Sequence, residues 1–328
     1  MGVVLHSKAP TKDELLLRPT CAAYVFHDVL AVRMQVCRSR RLRRFLSVQM
    51  EAFVKGYFRT TIRSTGANLQ RLVGCPYHRW LPRVNYRREL LVLSDRGLVA
   101  LDWLNENRPG SQSRPWRSLL PALAAVGFRG LVVNGHGCGG VPLPGHRITY
   151  AASVSVFAVV VSKAPKRYRR ECLLAAGVCL GGLLLSLHLR QRGPHAQLDA
   201  ALAVSPPFEP AVAAHPLSIS WGCNLRSNAC IARGRVGRLR GGDVICVWTL
   251  ASFDQHYAAA AFGFQSVPVF YENCRSTGWL CMVQRPLVFL VSADDSLNPK
   301  RTLLEDEVVA LAGRRGESRE GHMGSVDG

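Results

Sequence analysis

The chain has few lysines and few acidic residues. Only six of its 42 basic residues are lysines, and 22 Asp and Glu leave a formal net charge of +20. A surplus of this sign favours contact with anionic surfaces, such as phospholipid headgroups or nucleic acid. The one dense basic run, CRSRRLRRF at residues 37–45, suits a membrane surface or a solvated helix face. No RNA-binding signature, zinc-finger spacing or basic strand interleaved with aromatics accompanies it, so we expect no specific nucleic-acid partner.

Metal-site and secretory signals are also absent from the sequence. The 11 cysteines include no C-x-x-C pair and no metal-like spacing with histidine. Because their number is odd, we interpret them as reduced and mostly buried thiols. The N-terminus does not follow the order of a signal peptide. We therefore expect no metal or other cofactor, and an intracellular protein that is cytoplasmic or peripheral to a membrane.

No uncharged apolar run reaches the length of a membrane-spanning helix, which is about 18–20 residues. The runs at 148–162 and 172–187 contain 15 and 16 residues. In the second run, Gly177 and Gly181 form a G-x-x-x-G pattern, which is typical of helices that pack in membranes. A membrane-anchored protein thus remains one alternative, and a strand followed by a helix is the other.

Two regions differ in pattern along the chain. Residues 1–85 are mixed and basic, and we predict an N-terminal extension there. Residues 86–328 are predicted to form one α/β domain, since strand and helix patterns alternate, and 206–284 to be a cap insertion over a pocket. This alternation favours a mostly parallel sheet with helices on both faces. Its predicted elements are a hairpin around SDRG, a helix at 116–126, the strands FRGLVVNGHG, ECLLAAG, DAALAVSPP and RPLVFLVSADD, and the helix LGGLLLSLHLRQRG.

The stretch from Gly177 to Gly181 reads G-V-C-L-G between a predicted strand and a predicted helix. This pattern is typical of a nucleophile elbow, in which small flanking residues permit a tight turn that exposes the central side chain. The central residue is Cys179. A helix N-terminus and a nearby histidine favour the thiolate, which is the reactive form of cysteine.

Two later segments supply candidates for the other members of a catalytic triad. In a fold with this elbow, the acid follows a later strand and the histidine comes near the end of the chain. Asp294 and Asp295 follow the last predicted strand, and His322 lies in the segment GHMG. The order predicts Cys179, one of the two aspartates and His322 as a triad. The remaining histidines have no comparable setting, and His188 is expected to be a core or solvated residue of a helix.

Seven segments together resemble one known family. They are RRELLVLSDRGLVALDW, PALAAVGFRGLVVNGHGCGGVPL, AAGVCLGG, DAALAVSPP, FDQHYAAAAFGFQSVPVFYE, LVSADDSLNP and GHMGSVDG. They are similar to the α/β-hydrolase lipases and esterases of the YheT-like type, whose animal members include a medium-chain phospholipase branch. The resemblance implies an α/β-hydrolase fold and hydrolysis of acylglycerol or phospholipid esters. It also implies a cofactor-free triad of Cys179, Asp295 and His322, with the backbone N–H of Leu180 as an oxyanion donor.

The sequence departs from the family pattern in three places. Cysteine stands at 179, where the family has serine. By comparison with the family pattern, we expect that a strand with its oxyanion loop is deleted near residues 105–112 and that a closing C-terminal helix is missing. The segment HGCGG at His136–Gly140 is not expected to replace the oxyanion loop, because it aligns with a later loop of the family. These departures leave an alternative function open, a catalytically impaired pseudo-hydrolase that acts as a binding or scaffold protein.

Overall fold

In the computed structural model, the part of the chain that the structure describes contains nine strands, which form a single sheet. The structure describes residues 2–7, 22–27, 32–36, 48, 86–104, 119–143, 148–151, 153–167, 172–219, 249–292, 295, 298 and 302. The strands are β1 (Gly2–Ser7), β2 (Ala22–His27), β3 (Val32–Val36), β4 (Tyr86–Val92), β5 (Leu98–Leu104), β6 (Phe128–Asn134), β7 (Cys172–Val178), β8 (Ala200–Val204) and β9 (Leu287–Ser292). Their order across the sheet is β3-β2-β9-β8-β7-β1-β6-β5-β4.

The sheet is mixed, which corrects the prediction of a mostly parallel sheet. Among the described strands, only the pairs β7–β8, β8–β9 and β2–β9 are parallel, and the other five pairs are antiparallel. Three antiparallel pairs, β2–β3, β4–β5 and β5–β6, join strands that are consecutive among the described strands. Two more arise because β1 runs opposite to both β6 and β7. The sequence pattern of β1 carries no signal for its direction, since alternation along a strand is the same both ways.

Helices cover both faces of the sheet, as the alternating pattern predicts. The helices are α1 (Leu119–Ala125), α2 (Val154–Arg167), α3 (Leu180–Arg192), α4 (Pro210–Ile219), α5 (Leu250–Phe253), α6 (Ala259–Ala261) and α7 (Val267–Cys274). A π-helical turn, Asp254–Ala258, joins α5 to α6. No helix within the described ranges is both long and apolar enough to cross a bilayer. The predicted cap includes α4 to α7, but residues 220–248 lie outside the described residues, so its role stays a prediction.

The two faces of the central strands bury different clusters. Successive side chains of a strand point to opposite faces, so Val132 packs with Leu120 of α1 while its neighbour Val133 lies on the side of α2 and α3. On that second side, Phe157 of α2 and Leu185 of α3 belong to the largest cluster. A third cluster packs α5 and α7 against α3. These layers hold α3 in place at the point where β7 ends.

A buried ion pair fastens the β4–β5 hairpin to the loop after β6. Asp102 is completely buried and accepts two hydrogen bonds from the Arg88 guanidinium, at 2.7 and 2.8 Å. Asn134 donates a third to the same carboxylate at 2.8 Å, and Arg88 also donates to the Gly139 carbonyl at 2.8 Å. The hydrogen bond with Asp102 raises the pKa of Arg88, against the effect of burial. The charge of Asp102 is therefore satisfied on both oxygens.

Part of the predicted organisation falls on residues that the structure does not describe. The deletion near 105–112 lies within 105–118, outside the described residues, and stays a prediction. The domain boundary at residue 85 also stays a prediction. Strands β1, β2 and β3 precede that boundary and lie in the same sheet as the strands that follow it.

The burial of His188 on α3 predicts a dependence of protein stability on pH. The Nε2 of His188 lies 3.1 Å from the Ala196 carbonyl oxygen, and its ring packs edge-on against Phe157. Burial lowers the pKa of His188 below its usual range, so the unfolded chain binds the proton more readily than the folded one. Stability is therefore expected to fall as the pH drops below about 6.5, the unfolded value. His188→Leu should show a smaller loss of unfolding free energy between pH 7.5 and 5.5 than the wild type in urea denaturation. Equal losses would show that His188 does not titrate on unfolding.

Candidate active site

Cys179 lies at a sharp turn between β7 and α3. Its backbone has φ 53° and ψ −120°, a conformation that costs a non-glycine residue about 1–3 kcal/mol. Its N–H donates to the Val204 carbonyl at 2.8 Å, and its carbonyl accepts from Leu183 at 3.0 Å. The side chain is exposed. The predicted order of strand, turn and helix is confirmed, and the turn presents a thiol to solvent at the N-terminus of a 13-residue helix.

The glycines around Cys179 allow the strand and the helix to approach closely. A Cβ at Gly177 would overlap the carbonyl of Gly181, and a Cβ at Gly182 would lie 3.0 Å from the Gly177 carbonyl oxygen. Because these neighbours are backbone atoms, no side-chain movement relieves the overlap. The G-x-x-x-G spacing thus serves packing between β7 and α3, and the interpretation of residues 172–187 as one helix is wrong.

Leu180 is the first residue of α3. The backbone N–H groups in the first turn of a helix have no carbonyl partner within the helix. The partial positive charge of the helix N-terminus also lies there. The Leu180 N–H therefore has the chemistry of an oxyanion donor next to Cys179, and that role stays a prediction.

Asp295 follows β9 and is held by Asn298. The Asn298 side-chain amide donates to the Asp295 carboxylate at 2.9 Å, and its backbone N–H donates to the Asp295 carbonyl at 3.1 Å. Asn298 is fully buried, and its amide oxygen accepts from the Phe208 N–H at 3.1 Å. The segment SLNP, which contains Asn298, follows Asp295 directly, but the sequence pattern alone predicts no role for this asparagine. Its position three residues after the candidate acid and its burial in the structure identify Asn298 as a residue of the site.

The parallel pairing of β7, β8 and β9 brings Cys179 and Asp295 to the same edge of the sheet, since each follows the carboxyl end of its strand. Asp294 and His322 lie outside the described residues. The triad of Cys179, Asp295 and His322 is therefore a prediction of which the structure describes two members.

The loop His136–Gly140 follows β6 and packs against the β4–β5 turn. His136 is buried, and its Nε2 lies 3.9 Å from the Asp95 carboxylate. Burial lowers the pKa of His136, while Asp95 opposes this. A Cβ at Gly97 would overlap the His136 ring, so the turn closes directly over the imidazole. This packing supports the prediction that HGCGG is not an oxyanion loop.

A cavity of about 550 Å³ lies among the last helices. Its walls include Phe264, Val267, Pro268 and Tyr271. Beneath it, the hydroxyl of Tyr271 donates to Asp254 at 2.7 Å, and Tyr150 donates to the same carboxylate. Burial raises the pKa of Tyr271, and Asp254 raises it further, so this phenol stays protonated as a donor. The sequence does not reveal this cluster of Tyr150, Asp254 and Tyr271, because Tyr150 and Asp254 are far apart in the chain.

Comparisons with known proteins identify relatives of the type that the sequence motifs resemble. No family model matches the chain. Phospholipase ABHD3 of Bos taurus is 25% identical over 344 aligned positions, which cover 94% of this chain and 82% of the relative. The putative esterase YheT of Escherichia coli (strain K12) is 23% identical and covers 77% of this chain and 85% of its own. Over most of its length, the chain is similar to proteins of this abhydrolase and YheT-like branch.

These similarities confirm the resemblance to the YheT-like branch that the sequence motifs indicate. Protein abhd-3.2 of Caenorhabditis elegans is 28% identical over 245 residues, 66% of this chain. The match spans 65% of the length of that relative, slightly less than two thirds. The bovine relative is named a phospholipase, and the bacterial relative is named a putative esterase.

Proposed function

We propose that this α/β-hydrolase cleaves carboxylic esters through a thiol nucleophile, Cys179. The observation that carries the proposal is the backbone of Cys179, which holds an exposed thiol at φ 53° between β7 and α3. Strain of this kind persists only where the surrounding structure enforces it, and it is concentrated at functional sites. On either side of the turn, the backbones of Gly177 and Gly181 come so close that a Cβ at Gly177 would overlap the Gly181 carbonyl.

In the proposed mechanism, the Cys179 sulfur attacks the acyl carbonyl carbon and the carbonyl π electrons move to oxygen. His322 takes the thiol proton and passes it to the leaving alcohol, which gives a thioester between the acyl group and Cys179. His322 then removes a proton from water, and the resulting hydroxide attacks the thioester carbonyl carbon. The C–S bond breaks, the carboxylic acid leaves, and the protonated His322 returns its proton to the Cys179 thiolate. The Leu180 N–H donates to the oxyanion in both steps.

Asp295 orients the imidazole of His322 and stabilises its protonated form, as the acid of a triad does. The Asn298 side-chain amide donates a hydrogen bond to the Asp295 carboxylate at 2.9 Å and supports its charged form. Because Asn298 is anchored to the Phe208 N–H, it also fixes the direction of the Asp295 side chain. Asn298 is thus a positioning residue in this mechanism.

The proposed substrates are acylglycerol or phospholipid esters. The name of the bovine relative includes a phospholipase, and the cavity walled by Phe264, Val267 and Pro268 offers apolar surface to an acyl chain. The net charge of +20 favours contact with an anionic membrane surface, where such substrates are found. We propose peripheral contact of this kind, with no specific nucleic-acid partner.

Thiol labelling combined with an ester assay tests the nucleophile directly. Cys281 is also exposed but lies in a short helical turn away from the elbow, so it serves as the control within the same molecule. An electrophilic acyl probe at neutral pH should label Cys179 at least about tenfold faster than Cys281, as a helix-terminal thiolate requires. The wild type should also hydrolyse short- and medium-chain esters.

Two results would count against the enzyme. Equal labelling of Cys179 and Cys281, together with no ester hydrolysis, contradicts the proposal. It favours the alternative of a pseudo-hydrolase that binds a ligand or partner without turnover.

A further inference from the structure

Strand β1 is the first described strand in the chain, yet it lies in the interior of the sheet between β6 and β7. Gly2–Ser7 lies between β6 and β7, and all six of its residues pair with both neighbours. Residues Gly2 and Ser7 lie opposite Val133 and Phe128 on one side, and opposite Gly177 and Cys172 on the other. Every backbone contact of this strand is therefore with segments that are far away along the chain.

The rest of the sheet is organised without β1. On one side, β4, β5 and β6 form consecutive antiparallel pairs. On the other, β7, β8 and β9 form consecutive parallel pairs. Strands β6 and β7 run in the same direction and are separated by the width of one strand, which makes a gap of about 9.6 Å at the usual spacing of 4.8 Å. Short-range pairings form before long-range ones, so β1 is expected to enter last.

The gap between β6 and β7 has two open edges when β1 is absent. Unpaired N–H and C=O groups at a strand edge are a template for an added strand, and main-chain hydrogen bonds supply the affinity. The sequence of β1, GVVLHS, provides three consecutive apolar residues, as in strands that are covered on both faces. One extended segment that pairs on both sides fits this gap.

The same gap borders the elbow. Gly2 lies opposite Gly177, two residues before Cys179. On the other side of β7, Val178 lies opposite Val204, and the Cys179 N–H donates to the Val204 carbonyl. The end of β7 is therefore held from both sides, by β8 and by β1. Loss of β1 frees one edge of the strand that carries the thiol.

We propose that the gap between β6 and β7 is a binding slot for one extended apolar peptide, that β1 fills it in the same chain, and that its occupancy holds the Cys179 turn. The proposal goes beyond ester hydrolysis and does not depend on it, because its readouts are amide exchange and thiol accessibility. The slot takes a peptide with the pattern of GVVLHS in the antiparallel direction.

The first test removes one main-chain donor of β1. Val4→Pro places proline in a central strand, where it cannot donate to the ladder, and Val4→Ile is the matched control that keeps the N–H. Val4→Pro should raise hydrogen exchange in β6 and β7 at least about tenfold while β8 and β9 stay protected. The electrophilic labelling rate of Cys179 should change with it, and that of Cys281 should not.

Addition of a synthetic peptide to the Val4→Pro protein tests the slot itself. A capped peptide with the sequence GVVLHS should restore the protection of β6 and β7, and a capped GVPLHS peptide should not. Unchanged exchange in Val4→Pro overturns the proposal. Equal rescue by the two peptides overturns it too.

A disulfide test applies even if Val4→Pro does not fold. Val4 lies opposite Ala175, and directly opposed residues of an antiparallel pair have Cα atoms about 4.5–5.5 Å apart, which suits a disulfide. Val4→Cys with Ala175→Cys should form an intramolecular disulfide under oxidised glutathione, mapped by mass spectrometry. Val4→Cys with Leu173→Cys, two residues out of register, should not. Absence of the first bridge refutes the proposal, and an intermolecular bridge shows that a second copy fills the slot instead.

Discussion

Replacement of Cys179 by alanine is expected to reduce kcat for ester hydrolysis by on the order of 10⁴–10⁶, the loss seen when a triad nucleophile is removed. The reason is that alanine cannot form the covalent acyl intermediate, so only binding and oxyanion donors remain. Cysteine and alanine are both non-glycine residues, so we expect the cost of the φ of 53° at position 179 to be similar in the two proteins. Stability should thus change little, and the measurement is kcat on a medium-chain ester with the melting temperature as a control.

Two further variants make the Cys179 result specific. Cys179→Ser keeps a nucleophile in the same place and should retain hydrolysis above the alanine level. Cys281→Ala removes an exposed thiol outside the elbow and should leave kcat unchanged. If Cys179→Ala hydrolyses the ester as fast as the wild type, the reaction does not pass through this thiol. If only the serine variant is active, the scaffold is competent and the cysteine has replaced a functional nucleophile.

Replacement of Asp102 by leucine is expected to lower the free energy of unfolding by about 3–5 kcal/mol, because it leaves the Arg88 cation without its partner. The Asp102 side chain is fully buried, and that of Arg88 is 29% exposed. Because water partly solvates the Arg88 cation, the loss of unfolding free energy is expected at the lower end of this range. Asn134 adds to the loss, since its buried amide would lose an acceptor. Urea denaturation measures the change.

A double-mutant cycle separates the ion pair from simple loss of packing. Arg88→Met combined with Asp102→Leu should recover part of the stability, because removal of both charges avoids an unpaired one. The control on the same hairpin is Glu89→Ala, which removes the half-buried hydrogen bond from Trp103, 3.0 Å long, and should cost about 1 kcal/mol. Additive effects of the Arg88 and Asp102 variants would show that the two charges do not stabilise one another.

The local elements of this chain can be predicted from the sequence. The SDRG turn between two alternating runs predicts the β4–β5 hairpin, and the structure confirms it. Small residues at 177, 181 and 182 predict a close strand-to-helix turn at Cys179, which the structure also has. These features depend on residues that are near each other in the chain, so periodicity and turn chemistry are enough to find them.

The elements that the sequence does not reveal depend on distant partners. Residues 1–36 have no pattern that tells a sheet strand from a loop, yet they supply β1, β2 and β3. The sequence alone does not indicate that Arg88 and Asp102 form an ion pair, because they lie opposite one another only when β4 and β5 pair. The role of Asn298 likewise depends on the Phe208 N–H, which belongs to another segment.

The sequence by itself determined where the thiol, the candidate acid and the elbow lie in the chain, because local spacing encodes a turn. Only the tertiary structure decided which strands flank that turn. A short apolar segment such as GVVLHS fits several edges equally well by pattern. Its position between β6 and β7 is set by backbone pairing with both strands, and these lie more than 100 residues away in the chain, beyond the reach of a local pattern.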